Sequence, residues 1–98
     1  MRDNCHLFFR TLASRLKMDL LISLRERPKS VGELSGELSE ERSKVSHGLR
    51  ILRECRLVLA RREGRQVFYS INEDTVKPLL EIVDRHAGKY CVRCEVAR

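Results

Sequence analysis

Residues 39–72 read SEERSKVSHGLRILRECRLVLARREGRQVFYSIN, and two periodicities meet in that stretch. Val45, Leu49 and Leu52, with Ile51 alongside, recur at three- and four-residue spacing, which is the pattern of a helix with one buried stripe. The same spacing leaves Arg42, Ser43, Ser46, His47, Arg50 and Arg53 on the outer face, and the helix is expected to run to about Arg56. Beyond it, Leu57 to Arg62 and Arg65 to Ile71 read as two strands around Glu63-Gly64, where glycine can supply the positive φ of a two-residue turn. The result is a helix with an arginine- and hydroxyl-rich outer face, followed by a hairpin whose tip is basic.

Upstream, Ser39, Glu40 and Glu41 predict a turn that caps the start of this helix with a hydroxyl and two acids. Ser30 stands three residues before Glu33, a capping-box signature, and Val31, Leu34 and Leu38 mark the inner face of a short preceding helix. Two short helices joined by a tight turn, the second with a polar arginine-rich face, describe a helix-turn-helix. From Cys5 to Glu26, Leu7, Phe8, Leu12, Leu16, Leu20, Leu21 and Leu24 predict one or two further helices, closed by Pro28. Downstream, Asn72 to Thr75 opens a last helix carrying Val76, Leu79, Leu80 and Val83, with Pro78 in its first turn and Gly88 expected to end it. The fold class is therefore mainly α with a β-hairpin wing, a winged helix-turn-helix in the order α-α-α-α-β-β-α. Residues 1–90 are assigned to one DNA-binding and dimerisation domain, and residues 91–98 to a tail carrying Cys91-Val92-Arg93-Cys94.

The composition agrees with a single small domain. Across 98 residues, 42% are hydrophobic, 35% charged and only 5% aromatic, so one core built from aliphatic side chains is the expectation. A domain of this size gains considerably from burying a further apolar face in a partner, which favours a homodimer. Lys and Arg number 20 against 14 acids, for a net charge of +6. Between Glu41 and Arg65 there are eight basic residues and three acidic ones. Concentrating the excess there suits a polyanion, and arginine forks match phosphates and guanine edges. The bland alternative is a solvated basic surface. No apolar run is long enough to cross a bilayer and Met1-Arg2-Asp3-Asn4-Cys5 does not open a signal-peptide core, so the expected location is the cytoplasm, with no membrane partner. In that compartment the four cysteines are thiols, metal ligands or redox switches rather than a disulfide framework.

The order of elements, with VSHGLRILRECRLV from Val45 to Val58 and RREGRQVFYSIN from Arg61 to Asn72, resembles the ArsR/SmtB family of metal-responsive repressors. The likeness covers Leu7 to His86. It implies a winged helix that dimerises through its first and last helices and represses transcription until a ligand relieves it. It also implies double-stranded DNA with an inverted-repeat operator as the partner. Position by position, the family's DNA-reading face falls on Arg42, Ser43, Ser46, His47 and Arg50, and its basic wing on Arg61, Arg62 and Arg65. Arg42 and Arg50 can fork onto guanine edges, while Ser43, Ser46 and the wing arginines can hold phosphates. His47 is equally readable as a passive polar residue.

The sequence also departs from the family. Ser39 and Glu40 stand where the turn usually has a glycine and an apolar residue. Arg56 takes the place of a customary glycine at a left-handed position, a cost of about 1 kcal/mol. The family's cysteine pair at the third helix is replaced by Ser30-Val31-Gly32. Asp84-Arg85-His86 matches only the first half of a second family site, and Ala97 and Arg98 cannot complete it. Candidate ligands are then Cys5, Cys91 and Cys94, with His6 and His86 as further candidates, for zinc, cadmium or arsenite. Four ligands make a tetrahedral soft-metal site and three thiolates hold arsenite, so a dimer would have to pool them. The alternatives are a thiol redox switch and a tail without a role, which leaves a constitutive DNA-binding protein or a protein-interaction module. Cys55 is expected to face inward and pack in the core. The chain is not expected to be an enzyme, since no nucleophile–base pairing, phosphate-binding glycine loop or βαβ context for the CxxC is found in the sequence.

Overall fold

The structure, a computed structural model, describes residues 4–91 and residue 93. Among these the chain forms five helices and three strands: α1 (Asn4–Leu12), α2 (Arg15–Leu24), β1 (Lys29–Ser30), α3 (Val31–Leu38), α4 (Arg42–Glu54), β2 (Val58–Glu63), β3 (Gln66–Ile71) and α5 (Val76–Lys89). This is the winged helix-turn-helix expected from the sequence, with one strand more.

The N-terminal apolar run is two helices, because Ser14 leaves helical geometry at φ −71, ψ 124 and accepts a hydrogen bond from the Lys17 amide to cap α2. The capping box at α3 forms as expected: Ser30 Oγ accepts from the Glu33 amide at 3.2 Å, and the Glu33 carboxylate accepts from the Ser30 amide at 3.2 Å. Ser39 is a correction. It does not cap α4; it ends α3 in the left-handed region at φ 53, ψ 45, and Glu41 precedes α4 without a side-chain cap. The turn is held instead by Ser35, whose carbonyl accepts the Glu40 amide at 3.1 Å and whose hydroxyl donates to the Glu40 carbonyl. Without the usual glycine, a side chain at Ser39 bears a cost of about 1 kcal/mol.

Helix α4 stops at Glu54, two residues short of expectation, and Arg56 does take the left-handed conformation at φ 58. This overturns the inward placement of Cys55, which is exposed. At about 100° per residue Cys55 falls at the margin of the stripe set by Val45, Leu49 and Leu52, and Arg56 is the position that a continued helix would have carried onto it. The reversal at Arg56 instead brings Leu57 inward, its amide donating to the Leu52 carbonyl at 2.9 Å, and Leu57 fills the core. Asn72 stitches this corner to the end of the hairpin. Its side-chain amide donates to the Arg56 carbonyl at 2.9 Å and its backbone amide to the Leu57 carbonyl at 3.0 Å.

The hairpin loop lies one residue later than expected. Glu63 pairs with Gln66, so Gly64 and Arg65 form the loop, with Gly64 at φ 62 in the first position. The unforeseen β1 pairs antiparallel with β3, Lys29 opposite Tyr69 and Ser30 opposite Phe68, giving the sheet order β1-β3-β2. Two residues are too few to show alternation, so only the pairing reveals this strand. Pro78 sits in the first turn of α5 as expected, but Gly88 does not end the helix, which continues to Lys89 and is closed by the Tyr90 amide donating to the His86 carbonyl at 2.8 Å.

The core gathers Leu20, Leu21 and Leu24 from α2, Leu34 from α3, Val45, Leu49 and Leu52 from α4, Val58 and Ile71 from the hairpin, and Val76 and Leu80 from α5. Gly48 is buried on the face of α4 turned to α2; a Cβ there would stand 3.1 Å from Leu20 Cδ1. Its missing side chain therefore sets how closely α2 lies against α4. Lys29 is 1% exposed. Its ammonium donates to Glu37 Oε1 at 2.7 Å and Ser23 Oγ at 2.9 Å, and Ser23 in turn donates to Glu37. The hydrogen bond to Glu37 holds the Lys29 ammonium above its ordinary pKa. Hydrogen bonds from Lys29 and then Ser23 hold the Glu37 carboxyl below its own.

This network predicts a stability effect. Glu37→Ala should cost about 2 kcal/mol, read as a fall in Tm, because the buried ammonium loses its main counter-charge while Ser23 and Glu26 still solvate it in part. The Glu37 contribution is present above the ordinary glutamate pKa of about 4.3 and is lost as pH falls through its lower folded value. The wild-type advantage over Glu37→Ala should therefore shrink in acid. An advantage that persists undiminished at low pH would refute the assignment.

Candidate nucleic-acid interface

Every residue expected to read DNA is exposed, on one helix and on the hairpin that follows it. Arg42, Ser43, Ser46, His47 and Arg50 are exposed along α4, because Val45, Gly48, Leu49 and Leu52 are buried on its opposite side. Arg61, Arg62 and Arg65 are exposed on the hairpin. Helix and hairpin together present cations on two elements, as a duplex with a groove and flanking phosphates requires.

Local contacts set how these side chains rest. Arg50 Nη2 donates to His47 Nδ1 at 3.3 Å, and Arg50 Nε is 4.0 Å from Glu54 Oε1. Both are long, exposed contacts that Arg50 can give up for a phosphate or a base edge at little cost. Arg42 folds back over α3, its Nη2 3.1 Å from where a Cβ on Gly32 would stand. A larger residue at Gly32 would displace it. At the hairpin, Arg62 Nε donates to the Gly64 carbonyl at 3.2 Å and Arg61 Nε is 3.6 Å from Glu63 Oε1. Arg62 thus braces the loop as well as charging it.

Two further arginines stand beside Arg50. A cleft beside the C-terminal half of α4 and the start of β2 is lined by Arg50, Arg53, Arg56, Glu54 and the half-exposed Leu59. Arg53 and Arg56 belong to the basic window, but only the packing of β2 against α4 shows them bordering one space with Arg50.

Among the described residues, Cys5, His6, His86 and Cys91 belong to no group of three or more that could hold a metal ion. Cys5 lies half-buried in α1, Cys91 half-buried just after α5, and His6 and His86 are exposed. Cys94 lies outside the described residues. Among the described residues no three His, Cys, Asp or Glu side chains are grouped so as to hold a metal ion. The thiol donors suit a soft ion in chemistry, but one protomer's described residues do not assemble a donor set. Asp84 is engaged elsewhere: its carboxylate accepts from Arg25 Nη1 at 2.7 Å, joining α5 to α2. His86 stacks at a tilt on Tyr90, ring centroids 5.5 Å apart.

An apolar groove lies between α1 and α5. Phe9, Leu12, Met18, Leu79 and Val83 line a space of about 300 Å³ with almost no polar surface. Phe9 is 59% and Val83 48% exposed. Among the described residues no helix is long and apolar enough to cross a membrane.

Comparison with known proteins places this geometry. A family model described as bacterial regulatory protein, arsR family, matches residues 14–59, which span α2 to the start of β2. The chain is 41% identical over 76 residues to an HTH-type transcriptional regulator of Mycobacterium tuberculosis, Rv0081, covering 76% of this chain and 67% of the relative. The crystal structure of that protein superposes with a TM-score of 0.80 at 34% identity, over 91% of this chain and 93% of the other. The transcriptional activator HlyU of Vibrio cholerae is 34% identical over 82 residues, 84% of this chain and 73% of the relative. A structure of reduced HlyU superposes with a TM-score of 0.75 at 32% identity, covering 89% and 88% of the two chains. The NMR structure of a cadmium metal-sensor from Mycobacterium tuberculosis gives a TM-score of 0.65 at 36% identity, over 78% of this chain and 80% of that one.

Proposed function

This chain belongs to the arsR family of bacterial regulatory proteins, a family of DNA-binding transcriptional regulators, and from that membership we propose that it acts as a cytoplasmic homodimer on an inverted-repeat operator. The observation that carries this reading is the exposure of every expected contact: α4 presents Arg42, Ser43, Ser46, His47 and Arg50, and the hairpin presents Arg61, Arg62 and Arg65, with few strong internal partners to hold them back. Residues 1–90 carry DNA binding and dimerisation in this proposal. We assign repression as the direction; HlyU, described as an activator, shows that the fold alone does not dictate it.

Selection from random duplexes, followed by anisotropy titration, tests the DNA half. The expected product is an inverted repeat with half-sites about one helical turn apart, bound with an affinity that falls steeply with salt. Failure to enrich any repeat would overturn it.

The sensing half rests on residues 91–98 acting as a tail whose Cys91 and Cys94, with Cys5, respond to a soft ion such as zinc, cadmium or arsenite. Similarity to a cadmium sensor supports it. Thiol oxidation is the second reading, favoured by similarity to a protein whose structure is described as reduced. In both, joining the segment after α5 to α1 alters the angle between protomers and so the spacing of their reading helices, which must match successive major grooves. A hundredfold weakening of DNA binding needs only about 2.7 kcal/mol of coupling. Replacing Cys91 and Cys94 by Ser is expected to leave DNA binding near wild type while removing the response to each inducer. Operator titrations with and without zinc, cadmium, arsenite and oxidant check this, and a double variant that responds like wild type would sink the assignment of the tail.

A further inference from the structure

A second cleft, of about 260 Å³, lies between α2 and the N-terminal half of α4, and Ser14, Lys17, Ser43, Lys44, His47 and Gly48 line it. Its cations differ in what holds them. Lys44 is 3.9 Å from the Glu40 carboxylate, and His47 contacts Arg50. Among the described residues no ion pair engages Lys17, whose stem passes the buried Gly48: a Cβ on that glycine would stand 4.0 Å from Lys17 Cγ. The close approach permitted by Gly48 is what carries this lysine to the edge of the reading face.

The position of the cleft identifies its occupant. Lys44 and Arg53 are nine residues apart, two and a half turns at about 3.6 residues per turn, so they mark opposite flanks of the exposed stripe formed by Ser43, His47 and Arg50. The hairpin borders the Arg53 flank and α2 borders the Lys44 flank. A helix about 10–12 Å across fills a major groove about 12 Å wide, so whatever stands beside the helix on either flank meets a sugar-phosphate backbone. Building on the DNA-binding reading above, we propose that the cleft between α2 and α4 seats a backbone phosphate of the bound duplex. The Lys17 ammonium supplies its charge, and the Ser14 and Ser43 hydroxyls donate to its oxygens. Ser14 Oγ already accepts from the Lys17 amide, which leaves its hydroxyl proton for a phosphate. The reading helix is then gripped on both flanks, by the hairpin arginines on one side and by α2 on the other.

The test titrates a mixed-sequence duplex, long enough for both protomers, with the full chain at several salt concentrations. Lys17→Met keeps the stem packed beside Gly48 and removes only the charge. It is expected to weaken binding roughly tenfold at low salt and to reduce the slope of log affinity against log salt by about 0.9 for each phosphate that is no longer neutralised. Lys17→Arg should keep the wild-type slope, and Arg85→Ala, a cation removed from α5, should change the slope far less than Lys17→Met. A wild-type slope and affinity in Lys17→Met would overturn the proposal, as would an equal weakening in Lys17→Arg, which would make packing rather than charge responsible. Arg50→Glu titrated alongside separates the two levels. If it abolishes binding while Lys17→Met does not weaken it, only the cleft is refuted; if Arg50→Glu binds normally, the reading surface itself is misplaced.

Discussion

Arg50→Glu is expected to lower operator affinity by at least about a hundredfold while leaving the melting temperature close to wild type. Arg50 stands at the middle of the exposed stripe of α4, its side chain 68% exposed. The contacts it would abandon, to His47 and Glu54, are long and solvated, so the fold is barely weakened. The DNA complex suffers much more. A bidentate arginine–guanine pair is worth about 1–3 kcal/mol of discrimination, reversal adds repulsion from the phosphates, and a two-fold protein makes the change twice. A hundredfold is about 2.7 kcal/mol, within the range of two such changes. Anisotropy titration of the selected operator, beside a thermal melt, checks both halves of the statement. Normal operator binding by the variant would show that the outer face of α4 is not the reading face.

Val83→Asp should convert the protein to monomers. Val83 lines the groove between α1 and α5 with Phe9, Leu79 and others, yet is 48% exposed in a single chain. Its side chain is therefore dispensable to the protomer core, which is built on Val76 and Leu80 from the same helix. Across a two-fold interface each Asp would be an unpaired buried charge, a penalty of several kcal/mol per site that a small apolar interface cannot absorb. The variant should sediment as a folded monomer at micromolar concentration and lose most of its operator affinity, since each protomer would then bind its half-site alone. A wild-type protein that is itself monomeric under those conditions would remove the basis of the prediction.

Much of the interface is legible in the sequence. Arg42, Ser43, Ser46, His47 and Arg50 fall on the outer face because a helix repeats about every 3.6 residues, and a buried stripe at Val45, Leu49 and Leu52 leaves no other place for them. Lys17 carries no such signal. It is an ordinary cation between Leu16 and Met18, and it borders the reading helix only because Gly48, more than thirty residues later, lets α2 come close. Cys55 departs from expectation for a related reason: it stands only at the margin of the inner stripe of α4, and beyond the helix Leu57 fills the core.

What the sequence alone determined about this protein is what depends on neighbours in the chain. The capping box at Ser30 and Glu33, the tolerance of Pro78 in the first turn of α5, the positive φ at Gly64, and the inner stripe of each helix arise from hydrogen bonds and sterics within a few residues. Tertiary structure decided the rest. It made a strand of Lys29 and Ser30 by offering them the edge of β3, and it buried the Lys29 ammonium by placing Ser23 and Glu37 around it. It turned Cys55 outward when Leu57 took the core, and it paired Asp84 with Arg25 across two helices. In each case the deciding partner lies on another element or beyond a turn. Its free energy appears only once those elements have packed, and a periodicity read along a single helix contains no term for it.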